Sequence, residues 1–462
     1  MLSDDVILDV FDFYVDEDMG EEFKPQRIEG WITLAHVCRR WRSVVFQSPL
    51  RLNLRLLCTP KTRVTDTLDI WPPLPLVIRD VDDTSDNEPS QVDNIIAALE
   101  CNDRVCQINL GDYGRFTSSE LKHVTNSAAM HKPFPELIHL WLAMDNYESM
   151  PILPDSFLGG TAPRLRSLYL RRVPFPAFQK VLLSATHLVK LDLSYSAHIP
   201  PEAMATSLST LTSLESLRLH FLYEPSRPAL ESRRSPPLTR SILPNLTKIQ
   251  FHGVSEYLEV ILARIDAPRL DELFIMFFNH IILDTPQLFQ FVSRNPTLRA
   301  PKKGIIDLYS RAIGIRFRTS GYDGYDVLTV KIPCTVSEGQ LSPLKQVCTS
   351  SLPPVSTLED LHIFQYGGYT PRRQDDTQWL DLLHPFAAVK NLYLFERILP
   401  HIAPALQELV GGRTTEVLPT LENIFFEGFQ PSGPLHECIE KFVAARRLTS
   451  HPVAASRRDH PW

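Results

Sequence analysis

One short pattern of apolar and polar positions recurs along most of the chain. Apolar-x-x-apolar-x-apolar is clear in LIHLWL (137–142), LRSLYL (165–170), LVKLDL (188–193) and LESLRL (214–219). Looser copies are VCQINL (105–110), LTKIQF (246–251), LDELFI (270–275), LEDLHI (358–363), VKNLYL (389–394) and LENIFF (421–426). Successive side chains of a strand point to opposite faces, so Leu191 and Leu193 fall on one side of their strand and Lys190, Asp192 and Ser194 on the other. Between these segments the period becomes helical, at residues 92–99 behind the S-x-x-D cap of Ser90, and at 178–185, 257–265, 287–292, 379–383 and 402–410. Successive copies start 23 to 32 residues apart, with one interval of 88. That interval has room for degraded units, and AIGIRF (312–317) and VLTVKI (327–332), on either side of the turn-rich SGYDGYD, are the segments expected to fill it.

A short strand and a helix repeating at about 20 to 29 residues is the leucine-rich-repeat signature, although these units are long and mostly lack its turn asparagine. No single unit can bury its own leucines, so the units must stack. The expected fold is therefore α/β: an irregular leucine-rich-repeat solenoid over residues 49–446, with parallel strands on the concave face and helices on the convex face. Two further strands, at LRLNLRL (50–56) and LPLVI (74–78), would open the sheet, with a helix over 64–70 between them. Residues 80–88 and 224–239 read as solvated loops, with Ser235 before Pro236 as a candidate phosphorylation site. The tail, 447–462, is expected to be disordered.

Composition narrows the function classes. There are 38 prolines in 462 residues, about 8% against a usual value of about 5%, which implies many short elements. A formal charge of −7 offers no general attraction for nucleic acid or anionic lipid, so neither is an expected partner. The opening MLSDDVILDV has aspartates where a signal peptide carries basic residues, and the longest apolar runs, such as 273–278, are far below a membrane span. An intracellular protein, cytoplasmic and/or nuclear, is expected, with its seven unpaired-looking cysteines reduced.

Catalytic chemistry finds no footing in the sequence. The glycine pairs at 159–160, 367–368 and 411–412 lack the strand-then-helix setting of a phosphate-binding loop. His436 with Cys438, and His123 with His131, are not spaced as zinc ligands. An eight-stranded α/β barrel enzyme would share the unit length, but it closes after eight strands and this chain supplies more. No enzyme activity, catalytic residue, metal or cofactor is expected.

Residues 1–48 do not fit the repeat. Ser3 caps a helix opening with Asp4 and Asp5, on which Val6, Ile7, Val10, Phe11 and Tyr14 form an apolar stripe. A polar insertion, 16–30, precedes a second apolar stretch, WITLAHVCRRWRSVVF. The segments LSDDVILDVF and LAHVCRRWR resemble an F-box, the helical motif that docks onto the Skp-type adaptor of SCF ubiquitin ligases. The continuation VVFQSPLRLNLRL and WPPLPLVI is similar to a large family of fungal F-box proteins in which the motif precedes leucine-rich-like repeats. The resemblance implies a non-catalytic substrate receptor, with the Skp-type adaptor and cullin scaffold as partners and an unknown target protein on the repeats. Carried over, the adaptor-binding positions are Leu2, Val6, Ile7, Val10, Phe11, Val37, Cys38 and Trp41. Ser3 stands where the family has proline, and the 16–30 insertion is longer than usual. Two other readings are open: an amphipathic cap on the repeats, and a ubiquitin-independent repeat scaffold with a degenerate F-box.

The central outward position of each strand locates the expected target site. These positions are Asn109, Trp141, Tyr169, Asp192, Arg218, Gln250 and Phe274, then His362, Tyr393 and Phe425. The middle is polar and the C-terminal end aromatic. Met276, Phe364 and Phe395 enrich that end, so Phe274, Met276, His362, Phe364, Tyr393, Phe395 and Phe425 are the expected target-binding residues. The competing expectation is that the tail or residues 300–350 fold over these rings and make them core.

Overall fold

The structure is a computed structural model. It describes residues 3–16, 30–49, 51–64, 68, 71–80, 92–111, 116–144, 152–195, 199–221, 240–278, 285–299, 301–319, 324–333, 341–350, 352–366, 376–410, 415–427, 434–449 and 452–458. Leu2, Ser235 and most of the 16–30 insertion lie outside these residues. The chain forms two compact units, Met1–Ile199 and Pro200–Trp462.

The first unit opens with three helices, α1 (Asp4–Asp16), α2 (Gly30–Val37) and α3 (Arg39–Gln47). Ser3 Oγ accepts the Val6 amide at 3.4 Å, as the cap pattern requires. Ile7, Leu8 and Phe11 turn inward, and the Phe11 ring meets Trp41 of α3 edge-on at 4.9 Å. Outside, Arg40 pairs with Asp4, and Arg51 with Asp9 and Asp12. Trp31 of α2 packs edge-on against Phe46 and Trp71, and its Nε1 donates to the Arg55 carbonyl at 2.9 Å.

Six strands follow: β1 (Leu56–Cys58), β2 (Leu76–Arg79), β3 (Val105–Gly111), β4 (His139–Ala143), β5 (Ser167–Arg171) and β6 (Lys190–Ser194). Each pairs in parallel with the next. Helices Val92–Glu100, Ser118–Thr125 and Phe178–Ser184 lie in the intervening chain. Thr117 and Glu120 form a reciprocal capping box on the second of these. The leucine pairs at 140 and 142, 168 and 170, and 191 and 193 are buried as the alternation predicts. LRLNLRL departs from its expected strand: Asn53 takes a left-handed conformation (φ 47°), breaking the alternation, and β1 starts only at Leu56. Leu52 and Leu54 are buried all the same.

The second unit begins with helix Pro201–Leu208 and carries β7 (Ser216–His220), β8 (Ser241–Ile242), β9 (Lys248–Gly253), β10 (Ile265–Asp266), β11 (Glu272–Phe277), β12 (Lys303–Leu308), β13 (Ala312–Arg318) and β14 (Asp326–Pro333). It ends with β15 (Asp360–Gln365), β16 (Asn391–Phe395), β17 (Asn423–Glu427) and β18 (Ala454–Arg458). Within this unit the main sheet runs β7-β9-β11-β14-β13-β12-β15-β16-β17-β18, and β8 with β10 forms a separate two-stranded pair. Helices such as Ser255–Leu262, Leu341–Ser350 and Leu399–Glu408 lie between successive strands.

Two expectations need correction here. AIGIRF and VLTVKI are both strands, and VLTVKI, in β14, pairs in parallel with β11; β13 is antiparallel to both β12 and β14, so AIGIRF is not a degraded parallel repeat. Only residues 309–311 separate β12 from β13, whereas a parallel neighbour needs a crossover of about a dozen residues or more. The chain must turn back on itself. The tail is also not wholly disordered, since β18 pairs in parallel with β17 along Ala454 to Arg458. The helix before it, Pro434–Arg447, is held by Arg446, which is buried and donates to the Leu418 carbonyl at 2.9 Å.

The segment β12 to β14 buries a charged network. Arg316 of β13 grips fully buried Asp307 of β12 through Nε and Nη2, and Arg316 and Arg318 both reach Asp326 of β14. Glu359, by contrast, meets Lys302 and Lys390 at the surface, each at 3.7 Å. Removing one member of a buried pair strands the other charge. Asp307→Ala is expected to cost about 3–5 kcal/mol in urea unfolding, and Glu359→Gln less than about 1 kcal/mol. Equal losses in the two variants would contradict this ranking.

Candidate functional site

The structure sorts the expected adaptor-binding positions into two groups. Ile7 and Phe11 are interior residues, and the Phe11 ring meets Trp41 of α3. The helical stripe was broader than its exposed half. Val6 and Val10, four residues apart on α1, are 42% and 49% exposed, and Val37 at the end of α2 is 57% exposed. Cys38 is exposed and also caps α3, its Sγ accepting the Trp41 amide at 3.4 Å. Trp41 is half-buried against Phe11.

On the second unit, parallel register aligns the expected target-binding residues into ladders. Ile305, His362, Tyr393 and Phe425 are successive partners across β12, β15, β16 and β17. His362 stacks on Tyr393 at 3.9 Å with the rings 1° from parallel, and Tyr393 stacks on Phe425 at 4.8 Å. One residue pair further along, Phe364 leans on Phe395 at 4.4 Å. His362 and Phe364 are buried, so they support the ladder from within, while Tyr393, Phe395 and Phe425 are half-buried. The strands β12, β13 and β14 enter the sheet instead of folding over these rings. Phe274 and Met276, half-buried on β11, stand apart from the ladder across β14 and β13, with the Lys331 ammonium 5.5 Å from the Phe274 ring.

A cavity of about 670 Å3 adjoins the ladder. Ile305, Phe364, Tyr366 and Phe395 give it apolar walls, and Arg316, Arg318, Gln365, Glu396, Arg397 and Glu427 give it polar ones. Tyr366 stacks on Tyr309 at 4.8 Å, and burial raises both phenols above their ordinary range. The face between β7 and β11 is polar: Arg218 donates to Gln250, Gln250 to Glu272, and Lys248 pairs with Glu272. His220 and His252 sit side by side there at 5.9 Å, and His252 tilts onto Phe278. The arrangement offers adhesive surfaces of graded polarity. Among the described residues, no group of three or more His, Cys, Asp or Glu is placed to hold a metal ion, and no helix is long and apolar enough to cross a membrane.

A further aromatic contact joins two of the outward residues. Trp141 and Tyr169 stack at 5.3 Å and 10° in the first unit. The signal was their occupation of the same strand position in adjacent repeats.

No family model matches the chain, and no curated protein matches it. Among solved structures, the leucine-rich repeat-containing protein LegL7 from Legionella pneumophila is similar at 13% identity and a TM-score of 0.27, over 84% of this chain and 97% of that one.

Burial, helped by Arg218 and His252, pushes the His220 imidazole down to about 4 from an ordinary 6.5. The fold therefore prefers neutral His220. Its contribution is complete above about 6.5 and is lost as pH falls towards about 4, because the unfolded chain takes up the proton first. Partial exposure limits the loss to about 1–3 kcal/mol. Melting temperature is expected to fall between about pH 7 and pH 5, and His220→Gln should flatten that slope. An unchanged slope in the variant would show that other groups govern it.

Proposed function

We propose that this chain is a substrate-recognition subunit of an SCF-type ubiquitin ligase, in which α1 to α3 dock onto a Skp-type adaptor linked to a cullin scaffold and the repeats hold a target protein. The observation that carries this reading is the exposure of Val6, Val10 and Val37 on a module whose core is already filled by Ile7, Leu8 and Phe11. Val6 and Val10 on α1 and Val37 at the end of α2 leave apolar side chains exposed among the described residues, and such exposure marks partner sites. Cys38 and Trp41 extend it. On the other unit, Tyr393, Phe395 and Phe425 present half-buried rings of the kind that dominate binding hot spots. The receptor positions its target and performs no chemistry of its own.

The placement of Ile7 and Phe11 inside the module favours the second reading, a repeat scaffold that acts without ubiquitin ligase partners. Co-purification with the Skp-type adaptor separates the two. Val6→Asp with Val10→Asp should abolish association while leaving helix content and melting unchanged, because burying two unpaired carboxylates in an apolar interface costs several kcal/mol. Phe11→Asp is expected to unfold the module instead. Adaptor association that survives the double valine variant would overturn the docking assignment.

A further inference from the structure

Among the described residues, the main sheet of the second unit ends at β18, a strand of five residues that pairs in parallel with β17. It is unlike the strand before it. Ile424, Phe426 and Glu427 of β17 are buried, whereas Ala454, Ala455, Ser456 and Arg457 are all exposed. The ladder fixes which backbone groups face the open side. The Ala454 amide donates to the carbonyl of Glu422, the residue leading into β17, at 2.8 Å. In a parallel pair, successive residues turn their N–H and C=O alternately to one neighbour and to the other, so Ala454 and Ser456 bond to β17 and Ala455 turns its amide and carbonyl away from it.

Such an edge is satisfied by another extended strand. Which strand fits follows from the sequence AASRR. When β18 of one molecule runs antiparallel to β18 of another about a twofold axis at Ser456, Ala455 of each falls opposite Arg457 of the other as a hydrogen-bonded pair, and Ala454 falls opposite Arg458. Every residue of the strand is then paired, and each arginine position meets an alanine. The two serines meet on the axis as a non-hydrogen-bonded pair, where the Cα atoms of an antiparallel ladder come closest, at about 4.5 Å, and a small side chain is needed. Moving the axis to Arg457 sets like charges directly opposite each other, which is destabilising. Moving it to Ala455 leaves Arg457 and Arg458 opposite residues outside the strand.

We propose that β18 is a self-association edge, and that its occupant is β18 of a second copy of this chain, paired antiparallel about Ser456 in a twofold dimer. Both molecules use the same edge, so the contact closes on itself. Ser456 is the register partner of Phe425, so the row Ile305, His362, Tyr393 and Phe425 runs on through the axis into the same row of the second copy. Two aromatic ladders then share one sheet. The pairing is set by backbone geometry and stands whether or not α1 to α3 dock an adaptor.

Sedimentation equilibrium on the full chain tests it. So short a strand makes a small contact of the transient class, so the wild type should approach twice 52.7 kDa when concentrated and return to 52.7 kDa on dilution. Ala455→Pro removes the amide on the open side and keeps the bond from Ala454 to Glu422. It should weaken association by about tenfold or more, with the melting temperature unchanged. Ser456→Cys reads the register: with oxidised glutathione it should link two chains, because the axial separation is within the span of a disulfide. Ala454→Cys, and the wild type with its exposed Cys38, should not. Ser456 is exposed, so Ser456→Cys keeps the test decisive if Ala455→Pro lowers the melting temperature. A wild-type chain that stays monomeric at every concentration would leave the edge to a strand of a different protein and overturn the proposal. So would a dimer that Ala455→Pro leaves intact, or linkage through Ala454→Cys as ready as through Ser456→Cys.

Discussion

A strand of five residues with two leucines on one side cannot bury them within its own repeat. In the first unit, Leu168 and Leu170 of β5 lie in register with Leu140 and Leu142 on one side and with Leu191 and Leu193 on the other. Each pair is sheltered because the next repeat brings its own pair to the same height. That mutual shelter is the interaction on which the rest depends, at roughly 1.5 to 3 kcal/mol for each large apolar side chain buried. It also fixes the opposite face, since alternate positions are then held at regular spacing with no role in the core. Side chains such as Trp141, Arg218 and Tyr393 are displayed by a framework that they do not build.

The same constraint explains where the repeat fails. Parallel stacking needs a crossover for every new strand, and between Leu308 and Ala312 there is none. The second unit therefore reverses β13 between β14 and β12, which themselves pair in parallel with β11 and β15. The reversal brings polar residues into the sheet: Asp307 is buried only in the grip of Arg316, with Asp326 and Arg318 completing the network. Arg316 and Arg318 of this network line the cavity beside the aromatic ladder. An interruption of the repeat thus lies next to a cavity walled partly by aromatic rings.

Much of this was legible because period and register are properties of the sequence itself. The leucine pairs named their own strands, and equal spacing placed Tyr393 beside Phe425 before any coordinates. The misses have local causes. LRLNLRL alternates like a strand, but the left-handed Asn53 is a backbone event that alternation does not record. AIGIRF matches the repeat template, and only its distance from the preceding strand shows that it must run backwards. The basic sequence 454–458 has no apolar alternation, and it pairs through backbone hydrogen bonds that carry no sequence signature. On α1, Val6, Ile7, Val10 and Phe11 form one wide stripe, and which half faces inward is set by Trp41 of α3 rather than by the stripe.

Mutual shelter of neighbouring repeats is tested most directly by amide hydrogen exchange on Leu168→Ala. Leu168 is buried between Leu140 and Leu191, its register partners on β4 and β6. The account predicts that truncating it speeds exchange in peptides covering β4 and β6 as well as β5, because the strands shelter one another and open together. Faster exchange confined to the β5 peptide, with β4 and β6 protected as in the wild type, would contradict it.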